Sequence, residues 1–439
     1  SNFYQVEIPL KTTDWGERSP SAVWPLENEM ELKLELLNKI KMMRNADQNQ
    51  DPNFIYFKNE NELEPSATFK PNQLRIGIKG NPNFGRVRTV MLGIRNNTDV
   101  LYANSVKQPR DIEGEVWFNE LRMSDLDDKG GWAATFAMDT QVADFATVSA
   151  AMNISTMGFG SIEQAPQERS REDVFQYNVT TSLNAHQLLP KKWNLNIPFS
   201  YAISEEKITP EYDPNNPDIR LKDAIENAST KSEKDQIKDR SIDYAKRTSI
   251  NFIGVRKERA PEQKVRFYDI ENFTLSQTFN QLEQRNFEIE RNLDQQSRTT
   301  VDYAFAFKPY TFEPFKSATE LKKSKYLKWL TDFNVSPLPT AVNFNSNIIR
   351  QFNSQKYRMI DIQGIEIQPM YRRNFFFNYN YGLNFNLTKS ITVSYNVSNS
   401  NVVKNYMYAD GRVNNDIGIW DGYFDSGNPN NRMQQFTLN

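Results

Sequence analysis

Residue types able to do covalent chemistry are scarce in this chain. Its 439 residues include one histidine, His186, and no cysteine. A Cys-His pair is therefore impossible. A Ser-His relay would have to use an imidazole beside a predicted turn, with nothing to orient it. Asp125, Asp127 and Asp128 crowd together before Gly130. An EF-hand loop needs acidic groups at alternate positions and a closing glutamate, so this triplet reads as a charged linker. No GxGxxG, P-loop or HExxH pattern is present, so nucleotide and zinc-protease chemistry has no foothold. The 55 Asp and Glu residues single out no pair for glycoside hydrolysis. The expectation is a protein that is not an enzyme, with no catalytic, cofactor-binding or metal-binding residues.

Two groups could bind rather than react. Ser317 to Trp329 reads as a small basic amphipathic helix, whose Lys322, Lys323, Lys325 and Lys328 suit a partner or a lipid headgroup, or a solvated face. Trp420, Tyr423 and Phe424, within the Gly- and Asn-rich stretch 410–431, could stack on sugars or belong to an exposed loop.

The elements that would carry such residues are strands. From Asn374 to Ser398 the chain reads as a hairpin: Phe375, Phe377, Tyr379, Tyr381, Leu383, Phe385 and Leu387 take every second position, facing away from a run of Asn and Gly. After Thr388 and Lys389, Ile391, Val393, Tyr395 and Val397 alternate with Ser, Thr and Asn. A period of two belongs to a strand. One face is aromatic and the other polar but uncharged, as in a transmembrane strand with a lipid side and a lumen side. A soluble sandwich with an aromatic inner face is the other reading of a single hairpin.

The pattern recurs at Trp132 to Met138, Val148 to Ile154, Phe175 to Leu183, Trp193 to Ile203, Ile250 to Phe252, Phe273 to Phe279, Val301 to Phe307 and Val342 to Ile348. This makes about ten strands. Short joins (Gln141 to Phe145, Gln187 to Lys191, Lys257 to Lys264, Thr388 to Lys389) alternate with long polar ones at 158–173, 204–246, 281–298, 354–370 and 400–439. Alternating turns and long outer loops are the habit of outer-membrane barrels. The segment 309–331 breaks the alternation and reads as a periplasmic insertion. A mean hydropathy of -0.71 and a net charge of -2 give no sign of a nucleic-acid partner. No run approaches the roughly 18 apolar residues of a membrane helix. Ser1 stands where an initiator Met would, so the chain is read as an internal piece.

Residues 1–128 differ, with charges throughout and short strands at Leu74 to Ile78, Val90 to Ile94 and Val116 to Phe118. They read as a soluble β-sandwich-like domain, periplasmic or lumenal. Met30 to Arg44 fits a strand running into a helix near Leu36.

The runs Ile76-Gly77-Ile78-Lys79-Gly80-Asn81-Pro82-Asn83, Met91-Leu92-Gly93-Ile94-Arg95-Asn96, Gly114-Glu115-Val116-Trp117-Phe118-Asn119-Glu120-Leu121-Arg122 and Gly130-Gly131-Trp132-Ala133 resemble the SprA/Sov family. That family is the outer-membrane translocon of the Bacteroidetes type IX secretion system, required in gliding species for motility. The resemblance implies an all-β fold: a segment of a very large outer-membrane antiparallel β-barrel over 129–439, preceded by the domain 1–128. It implies a protein-conducting channel that passes folded cargo with type IX C-terminal signals. The partners it implies are that cargo, PorV, a plug protein and outer-membrane lipid. The alternatives are a secreted soluble carbohydrate-binding or glycan-degrading β protein, and a TonB-dependent importer.

Overall fold

The computed structural model describes the chain except residues 1, 48–50, 52, 66–72, 85–86, 97–112, 125–128, 318–325, 327–329, 331, 360–366 and 409, and the side chain of 167. In chain order the elements begin with β1 (Phe3–Glu7), α1 (Pro20–Val23), α2 (Glu35–Ala46), β2 (Tyr56–Asn59), α3 (Glu60–Leu63) and β3 (Arg75–Lys79). Strands β4 (Ala133–Val142), β5 (Ala146–Ser155), β6 (Glu172–Asn184), β7 (Leu195–Asn196) and β8 (Pro198–Pro210) follow. An excursion holds β9 (Tyr212–Asp213), β10 (Asn216–Arg220), α4 (Leu221–Glu226) and α5 (Lys231–Ser241). The rest is β11 (Asp243–Lys257), β12 (Phe273–Arg285), β13 (Ile289–Ala306), β14 (Ala341–Tyr357), β15 (Met370–Asn386), β16 (Thr392–Val402) and β17 (Asn428–Leu438).

The chain divides into two compact units, one of residues 1–129 with 210–237, the other of 130–209 with 238–439. The first contains a three-stranded antiparallel sheet, β1-β3-β2. The second layer is a helix, where a sandwich would have a second sheet: α2 buries Leu36, Leu37, Ile40, Lys41 and Arg44, one stripe at helical spacing. Its apolar members meet Leu63, Leu74, Ile76 and Ile78. Each fully buried aliphatic side chain there contributes roughly 1.5–3 kcal/mol. The helix predicted near Leu36 is present, while residues 30–34 form no strand.

Val90 to Ile94 and Val116 to Phe118 are not strands either. Val90, Met91, Leu92, Trp117 and Phe118 stand 57–87% exposed. A strand needs a partner for its backbone N–H and C=O groups, and these segments have none among the described residues. Residues 210–237, expected as part of an extracellular loop, instead fold into the first unit. Lys41 Nζ donates to Asp218 Oδ1 at 2.8 Å and to the Pro82 carbonyl at 3.0 Å, and the Tyr4 hydroxyl donates to Asp218 Oδ2 at 2.9 Å. Burial first, then the Asp218 charge, pushes the Tyr4 hydroxyl pKa far above its ordinary value.

The second unit is one antiparallel sheet of 12 strands, ordered β17-β16-β15-β14-β13-β12-β11-β8-β6-β5-β4, with β7 pairing β11. The sheet is open. Nearly every strand pairs with its neighbour in sequence, the topology of a meander. All the strands expected from the alternation are present, and the structure adds three corrections. The predicted loop 281–298 is paired strand, with β12 and β13 in register from Gln284↔Asn292 to Phe273↔Tyr303, leaving a turn of 286–288. Within the predicted loop 400–439, residues 428–438 form β17, paired with β16. The join after Lys257 is longer than predicted, running to Asn272. Of the predicted helix Ser317 to Trp329 only Ser317 and Tyr326 are described, both in turns; its lysines and the Asp125, Asp127 and Asp128 triplet lie outside the described residues.

Candidate functional site

The chemistry of the second unit resides in the two faces of its sheet. Because side chains alternate, the pairing registers assign every strand residue to one face or the other. One face carries Tyr379, Tyr381, Leu383 and Phe385 on β15, beside Val342 and Phe344 on β14 and Tyr395 and Val397 on β16. It continues through Val301 and Tyr303 on β13, Leu275 and Phe279 on β12, Ile250 and Phe252 on β11, and Phe199, Tyr201 and Ile203 on β8. Aromatic pairs cross the strands, such as Phe273 with Tyr303 at 4.9 Å and Phe199 with Phe252 at 4.8 Å.

The opposite face is built of Asn, Ser, Thr and Gln, with few charges. Its side chains bond to one another. Arg298 Nη2 (2.9 Å) and Thr300 Oγ1 (2.7 Å) both donate to Asn347 Oδ1, and Asn347 Nδ2 donates to Asn345 Oδ1. Asn345 Nδ2 donates to Asp302, Ser249 Oγ to Asn280 Oδ1 at 2.6 Å, and Asn251 Nδ2 to Ser249 Oγ at 2.9 Å. At Gly382 the side chains of Asn343 and Asn396 close over the backbone, so a Cβ there would strike both amides. Donors and acceptors already paired sideways are weakly available to other partners.

The apolar stretch does not sit at one level along the strands. A straight row across the registers runs Phe199, Phe252, Gln277, Thr299, Ile348, Phe377, Asn401, Pro429. In β8 the stretch reaches above that row to Ile203, while in β17 its first large aromatic, Phe436, lies well below Pro429. The shift is about 11 residues, roughly 36 Å at ~3.3 Å each, across seven strand spacings of ~4.8 Å, or roughly 34 Å. The band therefore crosses the strands at about 45°, close to the strand tilt of roughly 35–45° in a membrane barrel.

A feature that sequence reasoning missed lies at the upper end of β14 and β15. The segment 403–427, between β16 and β17, folds back over the aromatic face as a strap in all its described residues, 403–408 and 410–427. Arg350, fully buried, donates Nη2 to the carbonyls of Gly422 (3.1 Å) and Tyr423 (2.8 Å). Arg373 donates Nε to the Ile417 carbonyl and Nη2 to that of Asn415, both at 3.0 Å. Beneath the strap Phe352 and Phe375 pack with Val403 and Ile419. Trp420 and Tyr423, expected in an exposed loop or a sugar platform, rest against the sheet. The Tyr423 hydroxyl meets Ser297 Oγ at 2.8 Å and Thr299 Oγ1 at 2.7 Å. Phe424 stays 84% exposed. The only local hint was an arginine placed within each aromatic run.

At the other end of the strands the join 307–340 is tied to the turn 387–391. Lys389 Nζ meets Glu313 Oε1 at 2.8 Å, Lys389 N donates to Asn334 Oδ1 at 2.6 Å, and Ser336 N donates to the Leu387 carbonyl at 2.9 Å. The lysines at 316 and 389 hold the Glu313 carboxyl down at about 2.

His186 lies in the 3-10 turn Ala185–Leu188, and its Nδ1 is enclosed without a hydrogen-bond partner. Among the described residues no cluster of His, Cys, Asp and Glu is placed to hold a metal ion, and no helix is long and apolar enough to cross a membrane. No curated protein was found to match the chain. Residues 1–225 of the 439 match the model of a family described as motility related/secretion protein, the N-terminal SprA family. With more than half its length matched, this all-β chain belongs to the SprA family of motility and secretion proteins.

Proposed function

We propose that the second unit is a section of the wall of an outer-membrane barrel that conducts proteins, with its aromatic face to lipid and its Asn, Ser and Thr face to a water-filled lumen. The observation that carries this reading is the oblique apolar band. The twist of a soluble sandwich slants its core across the strands by only about 30°, whereas a barrel whose strands tilt in a flat bilayer slants its band by the full tilt of roughly 35–45°. Turning the faces round would put Asn343, Asn345, Asn380 and the Asp302 carboxylate into hydrocarbon, where a charged side chain costs roughly 3 kcal/mol or more. The role of such a wall is passage, not catalysis.

Membership of a secretion and motility family supports the finer assignment, a type IX secretion translocon that moves folded cargo to the cell surface and serves gliding. Its partners would be cargo proteins with type IX C-terminal signals, PorV, a plug protein and outer-membrane lipid. A lumen face whose side chains satisfy one another suits a conduit for many cargoes, since it grips none.

The test is fractionation of cells carrying the full-length protein tagged at Ile162, a residue 99% exposed in the join 156–171. Retention in the outer membrane through an alkaline carbonate wash until detergent is added is expected, with cargo accumulating in the periplasm when the gene is deleted. Release into the wash would overturn the membrane reading.

A further inference from the structure

The strap covers a particular part of the wall. The apolar run of β15 begins at Phe375, well above the line along which the band ends on the strands to either side. On β16 the face turns polar at Asn399 and Asn401, and on β13 at Thr299 and Ser297. Phe352, Phe375 and Phe377 therefore form an apolar surplus too high for a bilayer whose edge follows the slanted band. The strap lies over that surplus: Phe375 is 1% and Phe352 8% exposed. Its lower margin falls where the uncovered band starts. There Trp420 packs on Phe279 of β12 at 5.3 Å and on Tyr423 at 5.2 Å, yet remains 53% exposed, and Phe424 follows at 84%.

We infer that the strap 403–427 seats at the membrane–water boundary, with Trp420 and Phe424 entering the headgroup and acyl boundary of the bilayer as interface anchors. Aromatic side chains with one apolar and one wet side favour that zone, and barrels carry aromatic girdles at both boundaries. The arginines serve this placement. Arg350 and Arg373 bind strap carbonyls, so the backbone of an irregular segment beside lipid is satisfied by the wall itself. The continuity of the exposed aromatics with the band argues for lipid as the occupant.

This inference rests on the membrane reading, and the experiment separates the two. The 439 residues hold no cysteine, so a nitroxide label at Phe424→Cys, Phe344→Cys or Ile162→Cys is unique within this stretch; each is placed in turn in the full-length protein, with any cysteine outside the stretch replaced by serine, in outer-membrane vesicles. Phe344 belongs to the band and Ile162 to a water-exposed join. The expected result is a label at 424 that resembles 344, open to oxygen and several-fold less accessible than 162 to a water-soluble nickel complex. A second measurement avoids the label: the emission lost in Trp420→Phe should be quenched by lipids brominated near the headgroup end of their chains. A label at 344 in lipid with 424 in water overturns the anchor and leaves the membrane reading standing. A label at 424 shielded from both oxygen and nickel also overturns it, because protein then covers the strap. If 344 itself reads as water, the membrane reading falls and the anchor with it.

Discussion

Lys41 and Asp218 stand 177 residues apart and meet at 2.8 Å with side chains 2% and 1% exposed. Two charges withdrawn this far from water hold only because each is fully occupied: the ammonium by the carboxylate and the Pro82 carbonyl, the carboxylate by Lys41 and the Tyr4 hydroxyl. Removing one partner strands the other, which costs roughly 3–5 kcal/mol at a buried pair. Lys41→Met should therefore loosen the packing of residues 210–220 onto the first unit. Amide exchange of 212–220 in the full-length protein should accelerate by about 100-fold or more if opening is local. Lys41→Met with Asp218→Leu, which leaves no buried charge, should regain much of that loss. Equal exchange in the single variant and the parent would mean that the pair contributes nothing to the unit. None of this was legible in the sequence. A lysine on a helix stripe and an aspartate in a long polar join look solvated until the fold brings them together.

Elements were legible where one face is apolar and the other polar. The run from Phe375 to Val397 announced β15 and β16, and Val301 to Phe305 announced β13. Legibility failed where strands continue beyond the band. In β12 and β13, Gln281 to Gln284 and Asn292 to Gln296 each hold a single apolar residue, Leu282 and Leu293, too few to show a period of two although the backbone ladder runs on. The strand β17 hides for a related reason: Asn428 to Arg432 contains Pro429 and no apolar alternation. The segments 90–94 and 116–118 fail in the opposite sense, alternating like strands without a partner. The tie between the join 307–340 and the turn 387–391 carries a test at this scale. The Glu313 carboxyl is held at about 2, against its ordinary value of 4.5, by Lys316 first and then Lys389. A depressed carboxyl contributes its tie fully above the ordinary value and loses it as pH falls through the folded one. The tie should thus survive acidification past 4.5 and fail only near pH 2. The side-chain carboxyl carbon of Glu313, followed by NMR in selectively labelled protein, should titrate near 2. A midpoint near 4.5 would show that neither lysine holds it.

At the scale of the whole molecule, the open sheet decides what this chain needs around it. Its outermost strands are β4 and β17, and both are exposed along nearly their full length. Phe136, Met138 and Val142 on β4, and Met433, Phe436 and Leu438 on β17, are 41–67% exposed. An edge of this length offers unpaired N–H and C=O groups to any other strand, and open edges do not persist in hydrocarbon. In a membrane wall, β4 and β17 must each be paired, by strands outside this sheet or by one another. The 439 residues expressed alone should therefore lack what covers them on three counts: two edges without partners and an apolar band without lipid. They should precipitate from plain buffer, and in detergent they should associate through their edges in place of forming a uniform monomer. Sedimentation in buffer and in detergent checks this directly. A single sharp monomer in buffer would require the aromatic face to be closed as a private core, and the slant of the band would then have to come from the twist of a soluble sheet and not from the tilt of strands in a bilayer.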